Sequence, residues 1–581
     1  MQTIKNKIRT DAVIFAAVCI ITGCGFFEES SSSEKTVFEA TSSDAAACKV
    51  SGDDFLLVSA DLTRISESNV GKTAYLIAYN TGAESISSEN TGGAYLYNIS
   101  SLSAEVENEF QTCANSEPYT GIQENNSDFY IQQNCEIARK LQNLSLEQTV
   151  GMRSAEAMQL KRTCTVGETA AFYISYDERT YQEVEFTLEA SGENCNIWYY
   201  DDISDVSLDV SESALDETFD VLAERFDSVF YAEQTVFGSY EIENKNGAFI
   251  STPEKIDILI FDLEQDARSS ANGGGTYGFF NIVDIYTEEP VNRLNEKESA
   301  EYRTNQAECF YIDAYFLKNS PEKIYETLVH EFQHLLGFIN TVVNKGSSVY
   351  ETWYTEMMSQ LAEDILISYL GIEYEDSFLP GRMSWCNLYH NLGFYDWKSS
   401  VYAVYAGYGN AYLFGSYLAH SYGGIDFIKA LAQCGKVNED AVTAALKQTD
   451  SEDDFYTAFY KWGKSVLDGS LENEINEKVC EYDFTLHGIN VWDYSYTVSR
   501  SSIESNYYIY TENYDTSKVI AGGRLFYGPL IFKNTDTNYF RASLGRGGFY
   551  ITNIGTVKEG DYICANKENT SNSIRMFVYF K

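Results

Sequence analysis

Ser320-Pro-Glu-Lys-Ile-Tyr-Glu-Thr-Leu-Val-His330-Glu331-Phe-Gln-His334-Leu-Leu-Gly337-Phe-Ile-Asn340 contains the pattern H-E-x-x-H. Ser320 can cap a helix, and Pro321 suits its first turn, where a missing N–H costs nothing. Ile324, Leu328, Leu335 and Ile339 recur at helical spacing, which predicts a helix lying in a core. His330 and His334, four apart, then project from one face, close enough to share a metal ion. Two neutral imidazoles suit zinc. Glu331 sits about 100° round the helix from His330, outside that ligand set but placed to take a proton from a water on the ion. With 5 His among 581 residues, chance alone gives the pattern a frequency under about 0.01. The bland alternative is two histidines satisfied on a buried helix.

A third ligand is expected in Glu351-Thr-Trp-Tyr-Thr-Glu356-Met-Met-Ser-Gln360-Leu-Ala-Glu363-Asp364, which reads as a second amphipathic helix. Trp353, Met357, Leu361 and Ile365 fall on its apolar side, while Glu356, Gln360 and Glu363 share another face. Glu356 lies 22 positions after His334 (356 − 334), enough chain to turn and lay this helix antiparallel to the first. H-E-x-x-H followed at this distance by Thr-Glu-x-x-Ser-Gln resembles the gluzincin zinc peptidases, and among them the hyicolysin-type family of bacterial neutral metallopeptidases. The preceding Asn305-Gln-Ala-Glu-Cys-Phe-Tyr-Ile-Asp313 is part of that likeness, which spans roughly residues 160 to 470. The resemblance implies zinc held by His330, His334 and Glu356, with Glu331 as general base and Gln360 and Glu363 supporting the ligands from behind. Two positions depart from the family pattern: Thr355 replaces an Asn and Gln360 an Asp. An amide raises a ligand's basicity less than a carboxylate, so lower zinc affinity is expected. The metzincin alternative needs a third His at position 340, which is Asn.

Tyr408-Gly-Asn-Ala-Tyr412-Leu-Phe-Gly415-Ser-Tyr-Leu-Ala-His420 reads as a helix with Ala411, Gly415 and Ala419 stacked for close packing. It resembles the gluzincin helix that carries an oxyanion-binding tyrosine. That likeness implies Tyr408 first and Tyr412 second, against a purely structural role for either. His420 is expected at the surface. His390, in the aromatic stretch between Trp385 and Trp397, is a candidate cleft residue.

The ends of the chain set compartment and layout. Lys5, Lys7 and Arg9 precede an apolar run from Ala12 to Ile21 and a Gly23-Cys24 junction, the pattern of an export signal too short to span a bilayer. The junction resembles a bacterial lipoprotein processing box, implying lipid on Cys24; an ordinary cleaved signal is the alternative. Setting aside Cys19 and Cys24, ten of the 12 cysteines remain (12 − 2 = 10), none in C-x-x-C spacing, so disulfides are expected, with Cys164–Cys195 as the first pair. Net charge is −45, which argues against nucleic acid as a partner.

The expected layout is a signal over residues 1–23, a Ser/Glu-rich tether over 24–47 and an N-terminal β-rich domain over 48–204. An α+β gluzincin (thermolysin-like) domain over 205–475 and a C-terminal β-rich, sandwich-like domain over 476–581 follow. The expected protein is a monomeric, lipid-anchored, extracytoplasmic zinc endopeptidase of a bacterial cell envelope, acting on proteins or peptides and touching membrane only through Cys24. The rival from another class is a surface-displayed binding or adhesion lipoprotein with a structural or inactive zinc site.

Overall fold

The computed structural model describes residues 34–59, 62–98, 109–112, 128–146, 165–176, 180–202, 212–244, 246–263, 276–397, 401–469, 471, 473–499, 514–520, 523–534, 538–541, 543–566 and 570–581. The export signal, Cys24, Cys164, the glycine run at 273–275 and the Tyr507–Tyr510 segment lie outside them. The chain is multidomain and α+β, and it divides into two compact units, 1–45 and 46–581. A helix, Glu34–Val50, occupies part of the stretch read as a tether.

Within the second unit, a six-stranded mixed sheet carries the site. Its strand order is Gly278–Phe279, Cys309–Asp313, Ile256–Phe261, Cys195–Tyr199, Tyr181–Ser191 and Thr169–Ser175. The pairs of Cys309–Asp313 with Ile256–Phe261 and of Ile256–Phe261 with Cys195–Tyr199 are parallel, and the flanking pairs antiparallel. The three central strands are rich in Ile, Phe, Tyr and Leu and almost wholly buried, the texture of strands covered on both faces. The strands between residues 169 and 199, assigned by their alternation to an N-terminal module, join instead the sheet of Ile256–Phe261 and Cys309–Asp313.

The remaining β-structure joins the two ends of the unit. A five-stranded sheet runs Phe55–Leu57, Ile574–Phe580, Thr73–Asn80, Phe549–Thr556, Ile531–Lys533, so its central strand from the N-terminal part lies between two from the C-terminal part. A three-stranded sheet, Leu62–Arg64, Asp561–Asn566, Gly93–Asn98, inverts the pattern, with a C-terminal strand between two N-terminal ones. The strands expected at 48–204 and 476–581 therefore do not form separate modules. Alternation specifies which face of a strand is buried but not its partner. The five-stranded sheet rests against the helical region through Tyr79, whose hydroxyl donates to the Tyr460 carbonyl at 2.8 Å. Gly463 lets that ring approach, since a Cβ there would lie 2.4 Å from the Tyr79 hydroxyl oxygen.

Candidate metal centre

The histidine helix, Pro321–Phe338, has Pro321 in its first turn; Ser320 occupies the cap position without a side-chain cap bond. Instead the chain enters from a preceding short helix, Ala314–Asn319, whose own cap is Asp313, accepting from Phe316 N at 2.8 Å. The glutamate helix, Thr352–Leu370, runs antiparallel beside it: His330 faces Glu356 and Glu363, while His334 faces Thr355, Glu356 and Ser359. A third helix, Val401–Tyr422, packs closely on the glutamate helix at Gly415, where a Cβ would meet Met357 Cγ at 2.6 Å. Gly415 thus serves the approach that the spacing of small residues predicts.

Glu356 is fully buried, and its two carboxylate oxygens face the two imidazoles: Oε2 is 3.2 Å from His330 Nε2 and Oε1 is 3.3 Å from His334 Nε2. Neither oxygen has a hydrogen-bond partner. The three ligand atoms lie within 4.8 Å of one another, a donor set of two nitrogens and one carboxylate that suits zinc. The outer nitrogens are already committed. His330 Nδ1 bonds Glu363 Oε1 at 2.5 Å, and His334 Nδ1 meets Thr355 Oγ1 at 2.7 Å and Ser359 Oγ at 3.1 Å. Anchoring Nδ1 fixes each ring and turns Nε2 inward, as ligands of a metal require. The residues present fit a metal ion; its identity as zinc belongs to the proposal below.

The electrostatics of the cluster agree. Burial alone would raise the Glu356 carboxyl, but the adjacent His334 and His330 outweigh it and hold it down at about 2. Burial works against the His330 imidazolium, and the Glu356 and Glu363 carboxylates overcome it, holding its pKa well above the ordinary value. The site thus keeps a proton where a cation can replace it. Glu331 is 4% exposed, and its Oε2 is buried without a partner. Burial pushes its carboxyl up, with the two histidines pulling the other way.

The sequence-derived residues divide in three. His330, His334, Glu356, Glu331 and Glu363 come together as expected. Gln360 does not support a histidine: its Nε2 donates back to the Glu356 carbonyl at 3.1 Å, and its Oε1 is buried without a partner. One turn along the helix from Glu356, it lies behind the ligand rather than beside either ring, and Thr355, read as a departure, does the work instead. Tyr412 is committed elsewhere, donating to Asp364 Oδ2 at 2.8 Å. Tyr408 is held between the Arg382 guanidinium, 4.1 Å from its ring centre, and the edge of Trp397 at 5.0 Å.

Other expectations change. His390 is 1% exposed and lies against Phe549 at 5.1 Å, so it belongs to the seam with the five-stranded sheet, not to a cleft. Burial lowers its imidazole to about 4. His420 is half-buried and bonded to the Ser416 carbonyl at 2.8 Å. Cys195 is a buried free thiol, so the expected Cys164–Cys195 bridge is not made, and no disulfide occurs among the described residues. Sequence reasoning missed Glu326, one turn before His330 on the same helical face. It is fully buried, accepts from Phe378 N at 2.8 Å, and burial, reinforced by Glu363, pushes its carboxyl up to about 8. The i−4 spacing could have flagged it.

No helix among the described residues is long and apolar enough to cross a membrane. No family model matches the chain, and no curated protein matches it.

Proposed function

We propose that the protein is a zinc-dependent peptidase that hydrolyses internal peptide bonds of protein or peptide substrates. The observation that carries this is the Glu356 carboxylate set against both Nε2 atoms, with a buried, unpartnered Glu331 alongside. A zinc ion held by His330, His334 and Glu356 would supply Lewis acidity and lower the pKa of water there. Glu331 takes the proton of the attacking water and returns it to the leaving amine. The raised proton affinity that burial gives this carboxyl suits both halves of that transfer. Glu363, Thr355 and Ser359 keep the two rings fixed while charge develops.

Tyr408, braced by Arg382 and Trp397, is the residue we assign to the oxyanion by the gluzincin likeness. Gly278–Phe279 is the edge strand next to the histidine helix: a Cβ at Gly278 would touch Thr327 Cγ2 at 2.7 Å. An extended substrate can add to such an edge by main-chain hydrogen bonds. The hyicolysin-type kinship, lipid attachment at Cys24 and an extracytoplasmic place in a bacterial envelope belong to the same proposal. A purely structural metal site has no use for a free buried carboxylate beside its ligands, which weighs against the adhesion alternative.

The decisive experiment measures zinc content and cleavage of an unfolded protein by the chain with and without Glu331→Gln. Stoichiometric zinc in both, with the rate falling by about 10²–10⁴-fold in the variant, is expected. Zinc with no cleavage by the unaltered protein would overturn the peptidase and favour a binding role.

A further inference from the structure

The chain carries 86 acidic residues against 41 Lys and Arg, so an arginine left without an acid is conspicuous. Arg382, on the helix Leu379–Tyr389, is one. It makes no hydrogen bond and no ion pair among the described residues, and its Nε is buried without a partner. Its neighbours are aromatic faces: Tyr408 at 4.1 Å and Phe378 at 5.9 Å from the guanidinium carbon. Cation–π contact with rings holds a guanidinium in place without consuming its donors.

Its position links it to the candidate site. Phe378 also donates its backbone N–H to Glu326, which shares a helical face with His330, and its ring meets Tyr277 at 5.0 Å. Tyr277 immediately precedes the Gly278–Phe279 edge strand. Arg382 therefore stands beside the path between the edge strand and the metal-binding face. The buried acid in this frame, Glu326, does not cancel it: with its carboxyl pushed up to about 8 it is largely uncharged at neutral pH. Its Oε1 is 3.6 Å from the Lys323 amine. The guanidinium fork is thus oriented, incompletely desolvated and unneutralised, as a carboxylate-binding arginine must be.

We infer that Arg382 receives a carboxylate of the substrate, so that the site prefers peptides bearing an acidic side chain or a free C-terminus near the cleaved bond. This rests on the peptidase reading for its substrate class, but binding can be measured without turnover. Arg382 is a binding and specificity residue here, not a catalytic one.

The test uses the zinc-loaded full chain carrying Glu331→Gln, with fluorescent peptides in matched pairs: Glu against Gln at each position flanking one peptide bond, and C-terminal acid against amide. The expected result is at least about a ten-fold preference for one carboxylate-bearing member, the size of one charge-assisted pair. Arg382→Gln should reduce that ratio to about one, while Arg382→Lys, which keeps the charge but not the fork, should retain part of it. Preference in the Glu/Gln pairs assigns the source to a side chain; preference in the acid/amide pair assigns it to the C-terminus. A ratio near one in the unaltered pocket, or an unchanged ratio in a folded, zinc-replete Arg382→Gln chain, overturns the inference. If the chain with Glu331 intact cleaves nothing yet shows the Arg382-dependent ratio, the peptidase reading fails and the carboxylate site stands.

Discussion

The metal centre and the sandwich of paired sheets are built on opposite principles. The centre draws its ligands from two helices within 27 consecutive residues, His330 to Glu356, each helix readable from its own periodicity. The sandwich sets Thr73–Asn80 between Phe549–Thr556 and Ile574–Phe580, partners separated by most of the chain. Chemistry here depends on local spacing, whereas the platform beneath it depends on closing a very long loop. The difference also shows in what each tolerates. The centre concentrates buried polar groups that are held or neutralised by one another, and the sandwich buries apolar side chains such as Ile77, Phe549 and Phe577 with no exposure at all.

The sharpest way to break this contrast is to strike the platform and watch the centre. Phe577 is fully buried, stacked on Phe55 at 4.5 Å and close to Tyr79 and Tyr460. Phe577→Ala should cost about 3–5 kcal/mol in urea unfolding. Because Tyr79 ties the sheet to the helix Phe455–Asp468, zinc release and loss of sheet structure should follow one transition. Two separated transitions would show that centre and platform fold independently.

A smaller effect distinguishes the two histidine supports. Glu363→Ala removes the carboxylate on His330 Nδ1 and should weaken zinc binding by about 10–100-fold. Thr355→Val should cost less, because Ser359 still reaches His334 Nδ1 at 3.1 Å. Competition with a chelator measures both, and equal losses would refute a special role for the carboxylate.

A separate effect is on pH dependence. Glu326 has a folded-state pKa raised above its unfolded value, so the folded chain holds this proton after the unfolded chain has released it. Its contribution to stability is present below about 4.5 and lost as pH rises through about 8. Glu326→Gln should flatten the fall in stability over that window by up to about one proton's slope, read from unfolding at several pH values. An unaltered slope would mean that Glu326 is ionised in the folded protein.

Much of the centre was legible because helical geometry converts spacing directly into position. A spacing of four between the histidines gives one face, and 22 more residues allow an antiparallel return; both hold. Legibility ended where a side chain could choose among partners. Gln360 was expected at a histidine and turned to its own helix carbonyl; Thr355, counted as a loss, became a support. His390 was read from an aromatic neighbourhood that proved to be a buried seam.

By itself the sequence determined the two site helices, the ligand types on their facing sides, the Glu331 carboxylate beside them and the close-packing glycine at 415. Each follows from a period of 3.6 residues and the chemistry of the side chain. Tertiary structure alone decided which strands pair, that residues 169–199 extend the site's sheet, which groups hold each imidazole, and that Arg382 meets aromatic rings instead of an acid. Periodicity fixes the direction in which a side chain points, but its partner is chosen by whatever distant segment folding brings to that face.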